Sequence, residues 1–192
     1  MSTDASVSAL FDALSEKLEL HWAGGRTGEA RTIKNTESDT DGTTLVGHLN
    51  LIHPNRVQVL GKTETQYLDR LPETSRRDFL NQLFDGTCDL IVIGDNETAP
   101  EDVKQRSEAS ATPLFSSRQS TPQLVNYLQY YLTNLFAEKI TLHGVFMEVF
   151  SVGLLITGDP SVGKSELALE LLARGHRLVA DDAPVFARTA PD

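Results

Sequence analysis

The stretch Gly158-Asp159-Pro160-Ser161-Val162-Gly163-Lys164-Ser165 fits the pattern G-x-x-x-x-G-K-[ST], and it lies between an apolar run at residues 154–157 and a helix-forming segment. That context commits the chain locally to a strand, a tight loop and a helix. Glycines let the backbone approach a ligand closely, so that successive N–H groups and the helix N-terminus point at one anion. The Lys164 ammonium can reach the β and γ phosphates of a nucleotide. The Ser165 hydroxyl can replace one water on Mg²⁺, which keeps most of its other ligands as water and phosphate oxygen. Leu167, Leu171 and Leu172 are expected to pack the helix behind the loop, which ends near Arg174-Gly175.

The next strand, Arg177 to Ala180, closes with Asp181-Asp182, only 17 and 18 residues beyond Lys164. One helix and one strand fill that interval. In an open α/β sheet the carboxyl end of a strand lies beside the loop end, which puts the two acids near the γ phosphate. A carboxylate there can orient a metal through its water shell or accept a proton from an attacking hydroxyl. Aspartates at a strand end also serve as turn formers or helix caps. His143-Gly144 ends the strand that precedes the loop strand. Taken alone, His143 reads as a hydrogen-bonded or surface imidazole, since no metal-ligand spacing involves it. His21, His48, His53 and His176 carry weaker signals, and the single cysteine, Cys88, reads as inert packing beside a buried strand.

Upstream, strands and helices alternate. A helix carries Val7, Leu10, Phe11, Leu14 and Leu18, with Asp4 or Ser6 as cap. Residues 24–44 read as a mobile surface loop. Residues 45–51 and 57–60 read as strands about a turn at His53-Pro54-Asn55. A helix opens at Pro72 and closes at Gly86, and Leu90-Ile91-Val92-Ile93 has the continuous apolarity of a strand covered on both faces. A polar helix from about Pro100 follows, then a short strand at 113–115 and a helix from Thr121 capped by Ser120, with Leu124, Leu128, Tyr131, Leu132 and Leu135 as its stripe. The spacing predicts an α/β domain over residues 1–136 and a second domain over 137–192 whose open sheet is unfinished.

With 192 residues, two complete catalytic domains do not fit. The net charge of −10 argues against general nucleic-acid or anionic-membrane binding, so any phosphate site must be local. One cysteine excludes an intramolecular disulfide, and neither a signal sequence nor a bilayer-spanning run is visible, which fits a reducing cytoplasm.

The run Ile140-Thr141-Leu142-His143-Gly144-Val145, the P-loop with its following Glu166-Leu167-Ala168-Leu169-Glu170-Leu171, and the closing Leu178-Val179-Ala180-Asp181-Asp182 together resemble HPr kinase/phosphorylase. Gly47-His48-Leu49-Asn50-Leu51-Ile52-His53-Pro54-Asn55-Arg56-Val57 resembles that family's N-terminal domain, so the likeness covers most of the chain. It implies an N-terminal α/β Rossmann-like domain of regulatory use, followed by a truncated P-loop kinase domain of the phosphoenolpyruvate carboxykinase type. It further implies ATP- and Mg²⁺-dependent phosphorylation of a serine on the phosphocarrier protein HPr or a paralogue. The reverse is attack by inorganic phosphate, giving pyrophosphate, and the assembly is a homohexamer. By position Asp182 takes the role of general base, Asp181 supports it, His143 matches an active-site histidine, and Lys164 with the loop amides holds phosphate. Pro160-Ser161 stands where the family usually has Ser-Gly, which predicts a stiffer loop. The family's catalytic domain continues well beyond Asp192, so the chain is expected to be a fragment without full activity, exposing apolar surface on its sheet. Two other readings of the P-loop stay open beside the resemblance: a kinase or NTPase acting on a small metabolite, and a noncatalytic nucleotide-sensing module.

Overall fold

Leu90, Ile91, Val92 and Ile93 are all fully buried, as a strand covered on both faces requires. They form the centre of the first of two units, Met1–Phe136 and Ala137–Asp192, in a computed structural model that describes residues 5–33, 50–52, 57–84 and 88–189. The first unit runs β1 (Ala5–Ser6), α1 (Val7–Leu18), β2 (His21–Gly24), a 3₁₀ turn (Arg26–Gly28), β3 (Thr32–Ile33), β4 (Asn50–Ile52), β5 (Val57–Leu60), α2 (Lys62–Arg70), α3 (Glu73–Phe84), β6 (Leu90–Ile93), α4 (Glu101–Ser110), β7 (Leu114–Ser116) and α5 (Thr121–Phe136). The main sheet has the order β2-β7-β6-β5-β4, with β5, β6 and β7 parallel and both edge strands antiparallel. Side chains alternate between its faces. Val57, Val59, Leu90, Val92 and Phe115 meet α1 and α5, whereas Leu60, Ile91, Ile93 and Leu114 meet α2, α3 and α4. The result is a mixed α/β unit of three layers.

Local chemistry explains the helix starts. Ser6 Oγ accepts the Ala9 N–H at 3.1 Å and caps α1. The helix from Thr121 begins where expected, but its cap differs. The Ser120 hydroxyl donates to Gln123 at 2.8 Å, and it is Asp95, after β6, that accepts both the Thr121 N–H at 2.9 Å and the Thr121 hydroxyl at 2.8 Å. The same carboxylate accepts the Lys62 N–H at 2.9 Å, so one acid serves the N-termini of α2 and α5. Burial alone would raise the Asp95 pKa, but these three hydrogen bonds outweigh it and hold the carboxyl below its usual value. The Cys88 thiol is pushed up to about 12 by burial, consistent with packing.

One expectation needs correction in this unit. Residues 24–33 are not loop alone, since β3 pairs with β1 and Ile33 is fully buried. Helix α2 and strand β2 carry no signal strong enough to have been read in advance. The turn at His53-Pro54-Asn55, His48, the closing Gly86 and residues 34–44 lie outside the described residues.

The second unit contains β8 (Glu138–Thr141), β9 (Val145–Val149), β10 (Val152–Ile156), α6 (Lys164–Ala173), β11 (Arg177–Ala180) and β12 (Val185–Arg188). An open parallel sheet does not form here. β9 lies between β10 and β11 and is antiparallel to both, and β8 pairs antiparallel with β12. The reason is the two-residue link Phe150-Ser151, with φ of +50° and +64°, which permits only a hairpin between β9 and β10. Ala168 and Leu171 of α6 pack on Val145, Met147 and Ile156. Leu167 and Leu172, expected in the core, are 48% and 38% exposed, because a three-stranded sheet offers α6 only one narrow contact stripe. Across the opposite face Phe146 meets Phe186 edge-on, with ring centroids 5.0 Å apart.

Candidate active site

Antiparallel pairing still gathers the predicted residues at one edge. β10 and β11 run in the same direction on either side of β9, so their carboxyl ends lie beside the start of β9: Ile156 pairs with Val145 and Ala180 with Phe146. The P-loop leaves from the first of these ends and Asp181-Asp182 from the second. His143-Gly144 enters at the third position. Beyond the β8–β12 ladder, Leu142 N–H donates to the Pro184 carbonyl at 3.1 Å and Gly144 N–H to the Asp182 carbonyl at 2.9 Å. His143 is therefore flanked on both sides by backbone bonds to the segment that carries Asp182. Gly144 also abuts β10, where an added Cβ would press into the Ile156 carbonyl. This residue joins all three chain segments, and only glycine permits the approach.

Asp182 sits at the centre of a γ-turn, with φ of +69° and the Ala183 N–H donating to the Asp181 carbonyl at 2.9 Å. The Asp181 carboxylate accepts the Asp182 N–H, also at 2.9 Å, and so fixes that turn. The His143 ring and the Asp182 carboxylate are exposed and, among the described residues, make no hydrogen bond, leaving both free to meet a substrate. Sparsely populated backbone of this kind clusters at functional sites.

In the loop, Gly158, Ser161 and Gly163 have φ of +152°, +63° and +99°. Ser161 thus occupies left-handed backbone that glycine adopts more readily, giving the missing-glycine departure a structural content. The Lys164 ammonium donates to the Gly158 and Asp159 carbonyls at 2.7 and 2.8 Å, which arches the side chain back over the loop. Leu167 N–H donates to the Gly163 carbonyl at 3.0 Å, starting α6 directly behind Lys164 and Ser165. Among the described residues no group of three His, Cys, Asp or Glu side chains could enclose a metal by itself. The donors present, a Ser165 hydroxyl at a helix N-terminus and two aspartates at the same sheet edge, suit Mg²⁺ shared with phosphate oxygens.

Sequence reasoning missed two parts of this edge. Strand β12 follows the aspartates and ties them to β8, and its signal was the short apolar run Val185-Phe186-Ala187 after Pro184. The second is the joining role of Gly144, which a glycine after a strand-end histidine could have suggested.

Residues 5–132 match the family model described as HPr Serine kinase N terminus, and residues 134–192 match the one described as HPr Serine kinase C-terminal domain. The chain is 44% identical over all 192 of its residues to the HPr kinase/phosphorylase of Xanthomonas campestris pv. campestris (strain B100) and to that of Xylella fastidiosa (strain M12). In each case it covers 61% of the relative, so the chain spans about three fifths of the length of the curated relatives it matches.

Proposed function

The chain belongs to the HPr serine kinase family, and from that premise we propose that its P-loop edge transfers a phosphoryl group from ATP to a serine of the phosphocarrier protein HPr or a paralogue. The same edge removes that group by phosphorolysis with inorganic phosphate, giving pyrophosphate. The observation that carries the reading is the double backbone tether of His143 to the Asp182 segment, on the sheet edge from which the P-loop also departs.

Lys164 and the loop amides hold the phosphate oxygens, so the ammonium exchanges the Gly158 and Asp159 carbonyls for the ligand. Bound Mg²⁺·ATP supplies the γ-phosphoryl group and neutralises the charge that develops on it. Ser165 provides the one hydroxyl for the metal. Asp182 takes the proton from the serine hydroxyl as its oxygen attacks phosphorus, and returns that proton to the same oxygen when phosphate attacks in the reverse direction. Asp181 fixes the turn that aims Asp182, and His143 assists the aspartate or the phosphate from the facing strand. The mixed α/β architecture accords with a Rossmann-like N-terminal domain of regulatory use and a P-loop domain of the phosphoenolpyruvate carboxykinase type. Family membership supports a homohexamer acting in the cytoplasm on carbon metabolism. Among the described residues no helix is long and apolar enough to cross a membrane.

The test is incubation of the protein carrying its complete catalytic domain with ATP, Mg²⁺ and HPr. Acid-stable phosphoserine on HPr, released by phosphate with formation of pyrophosphate, is the expected result. Intact nucleotide binding with no phosphoserine would overturn it and favour a kinase acting on a small metabolite.

A further inference from the structure

In the second unit the β8–β12 ribbon and the β10-β9-β11 sheet share no ladder among the described residues. The candidate catalytic side chains sit on the two segments that join them, His143 between β8 and β9 and Asp182 between β11 and β12. The bonds from the Leu142 and Gly144 N–H groups fix the spacing of those segments, but two bonds in one line form a hinge and leave the tilt of the ribbon open. Across that hinge Phe186 of β12 meets Phe146 of β9, with 5.0 Å between ring centroids and 79° between planes, and both rings are half-buried. Edge-to-face pairs of this kind carry a preferred geometry as well as buried area. Phe186 lies four residues beyond Asp182 and two beyond Pro184, whose carbonyl accepts the Leu142 N–H.

Phe146 is itself seated on the strand that carries the P-loop. It pairs with Leu155 of β10 and Ala180 of β11, and its ring reaches across Gly153 of β10, where an added Cβ would stand 2.9 Å from Cζ and 3.1 Å from Cε2. Gly153 does not have the positive φ that calls for glycine, so the ring, and not the backbone, requires the missing side chain. One pair of rings therefore reaches from β10, which ends in the P-loop, to β12, which follows Asp182. We propose that Phe146 and Phe186, seated on Gly153, are positioning residues for phosphoryl transfer: their contact sets the tilt of the ribbon and with it the approach of Asp182 and His143 to the P-loop. The inference rests on the phosphotransfer reading above and adds residues that touch neither nucleotide nor serine.

The test compares Gly153→Ala, Phe186→Ala, Phe186→Leu and the double alanine variant with the parent, all in the protein with its complete catalytic domain. Turnover of HPr phosphorylation, nucleotide affinity and stoichiometry, and urea unfolding are measured on each. Alanine suits a strand and restricts the unfolded chain, so Gly153→Ala should unfold at a urea concentration close to the parent's, while the displaced ring lowers turnover about tenfold. Phe186→Ala should lower turnover by a similar factor, and Phe186→Leu, which keeps most of the apolar bulk, by less than about threefold. Nucleotide should bind every variant at unreduced stoichiometry and with affinity within about threefold, which separates misplacement from partial unfolding. Both alanine changes act through one contact, so the double variant should be no slower than the slower single one. Losses that multiply to about 100-fold would overturn the proposal. So would parent-like turnover in Gly153→Ala, or a loss matched by a fall in binding stoichiometry. A parent that forms no phosphoserine would refute the phosphotransfer reading and this inference with it, whereas an active parent with unaffected variants refutes the ring seat alone.

Discussion

Replacing Gly144 by alanine puts a Cβ against the backbone of Ile156, 3.3 Å from its carbonyl carbon and nearer still to the oxygen. The obstacle is main chain, so no flexible side chain can yield. Restoring an ordinary C···O contact of about 3.3–3.6 Å requires the 142–144 segment and the end of β10 to separate by roughly 1 Å. Gly144 N–H is also the donor to the Asp182 carbonyl, so the shift moves His143 and the aspartate together away from the P-loop. A misplacement of about 1 Å between reacting groups can lower turnover on the order of 100-fold. Nucleotide affinity should change by less than about threefold, because the loop amides and Lys164 are not displaced and uniform binding is retained. The assay measures phosphoserine formation at saturating ATP in the protein with its complete catalytic domain, alongside nucleotide titration and circular dichroism. Gly175→Ala is the control: φ there is +88°, but an added Cβ meets nothing within 4 Å. It carries the left-handed cost of about 1–2 kcal/mol without the collision, and turnover should stay near that of the parent. Turnover within threefold of the parent in Gly144→Ala, or equal losses in both variants, would refute the reasoning.

Ser161→Gly should raise the stability of the second unit by about 0.5–1 kcal/mol, the relieved left-handed strain less glycine's extra chain entropy, whereas β-branched Ser161→Val should lower it. Urea unfolding that ranks valine above glycine would contradict the φ of +63°. Asp95→Asn tolerates the φ of +56° yet can offer acceptors to only some of the three donors now satisfied, leaving one helix start uncapped. A lost cap of about 1 kcal/mol and weakened charge at two helix N-termini total about 2 kcal/mol at pH 7, read as a lower urea midpoint by Trp22 fluorescence. Because the folded Asp95 pKa is depressed, its contribution is full above the unfolded value of about 3.9 and is lost as pH falls through the lower folded value, so parent and variant should converge in acid. A constant gap across that range, or a loss under about 0.5 kcal/mol, would contradict the double cap.

The P-loop, its flanking strand and helix, and the buried β6 were legible because their information is local: fixed spacing in one case, unbroken apolarity in the other. The order of strands around β9 was not. Its cause is a hairpin turn made by Phe150-Ser151, residues that carry no turn signature although both adopt positive φ. Helix α2 hid for a similar reason, since its few apolar side chains give no stripe and its start depends on Glu64 reaching back to the Gly61 N–H at 2.8 Å. The cap of α5 comes from Asp95, 26 residues upstream, whereas sequence reasoning could look only to the adjacent Ser120. His143 and Asp182 were singled out separately, but the bonds that join them run through backbone atoms, which residue identity does not reveal.

On the mechanism proposed above, one carboxylate, that of Asp182, exposed at the centre of its γ-turn, moves the proton in both directions of phosphoryl transfer. That role is tested most directly by Asp182→Asn in the protein with its complete catalytic domain, with phosphorylation of HPr, phosphorolysis of phosphoserine-HPr and nucleotide affinity measured on one preparation. Both rates should fall together, on the order of 100-fold or more, while affinity stays within about threefold, since a proton acceptor acts on the transition state and not on the bound nucleotide. Near-normal turnover in either direction would contradict the account.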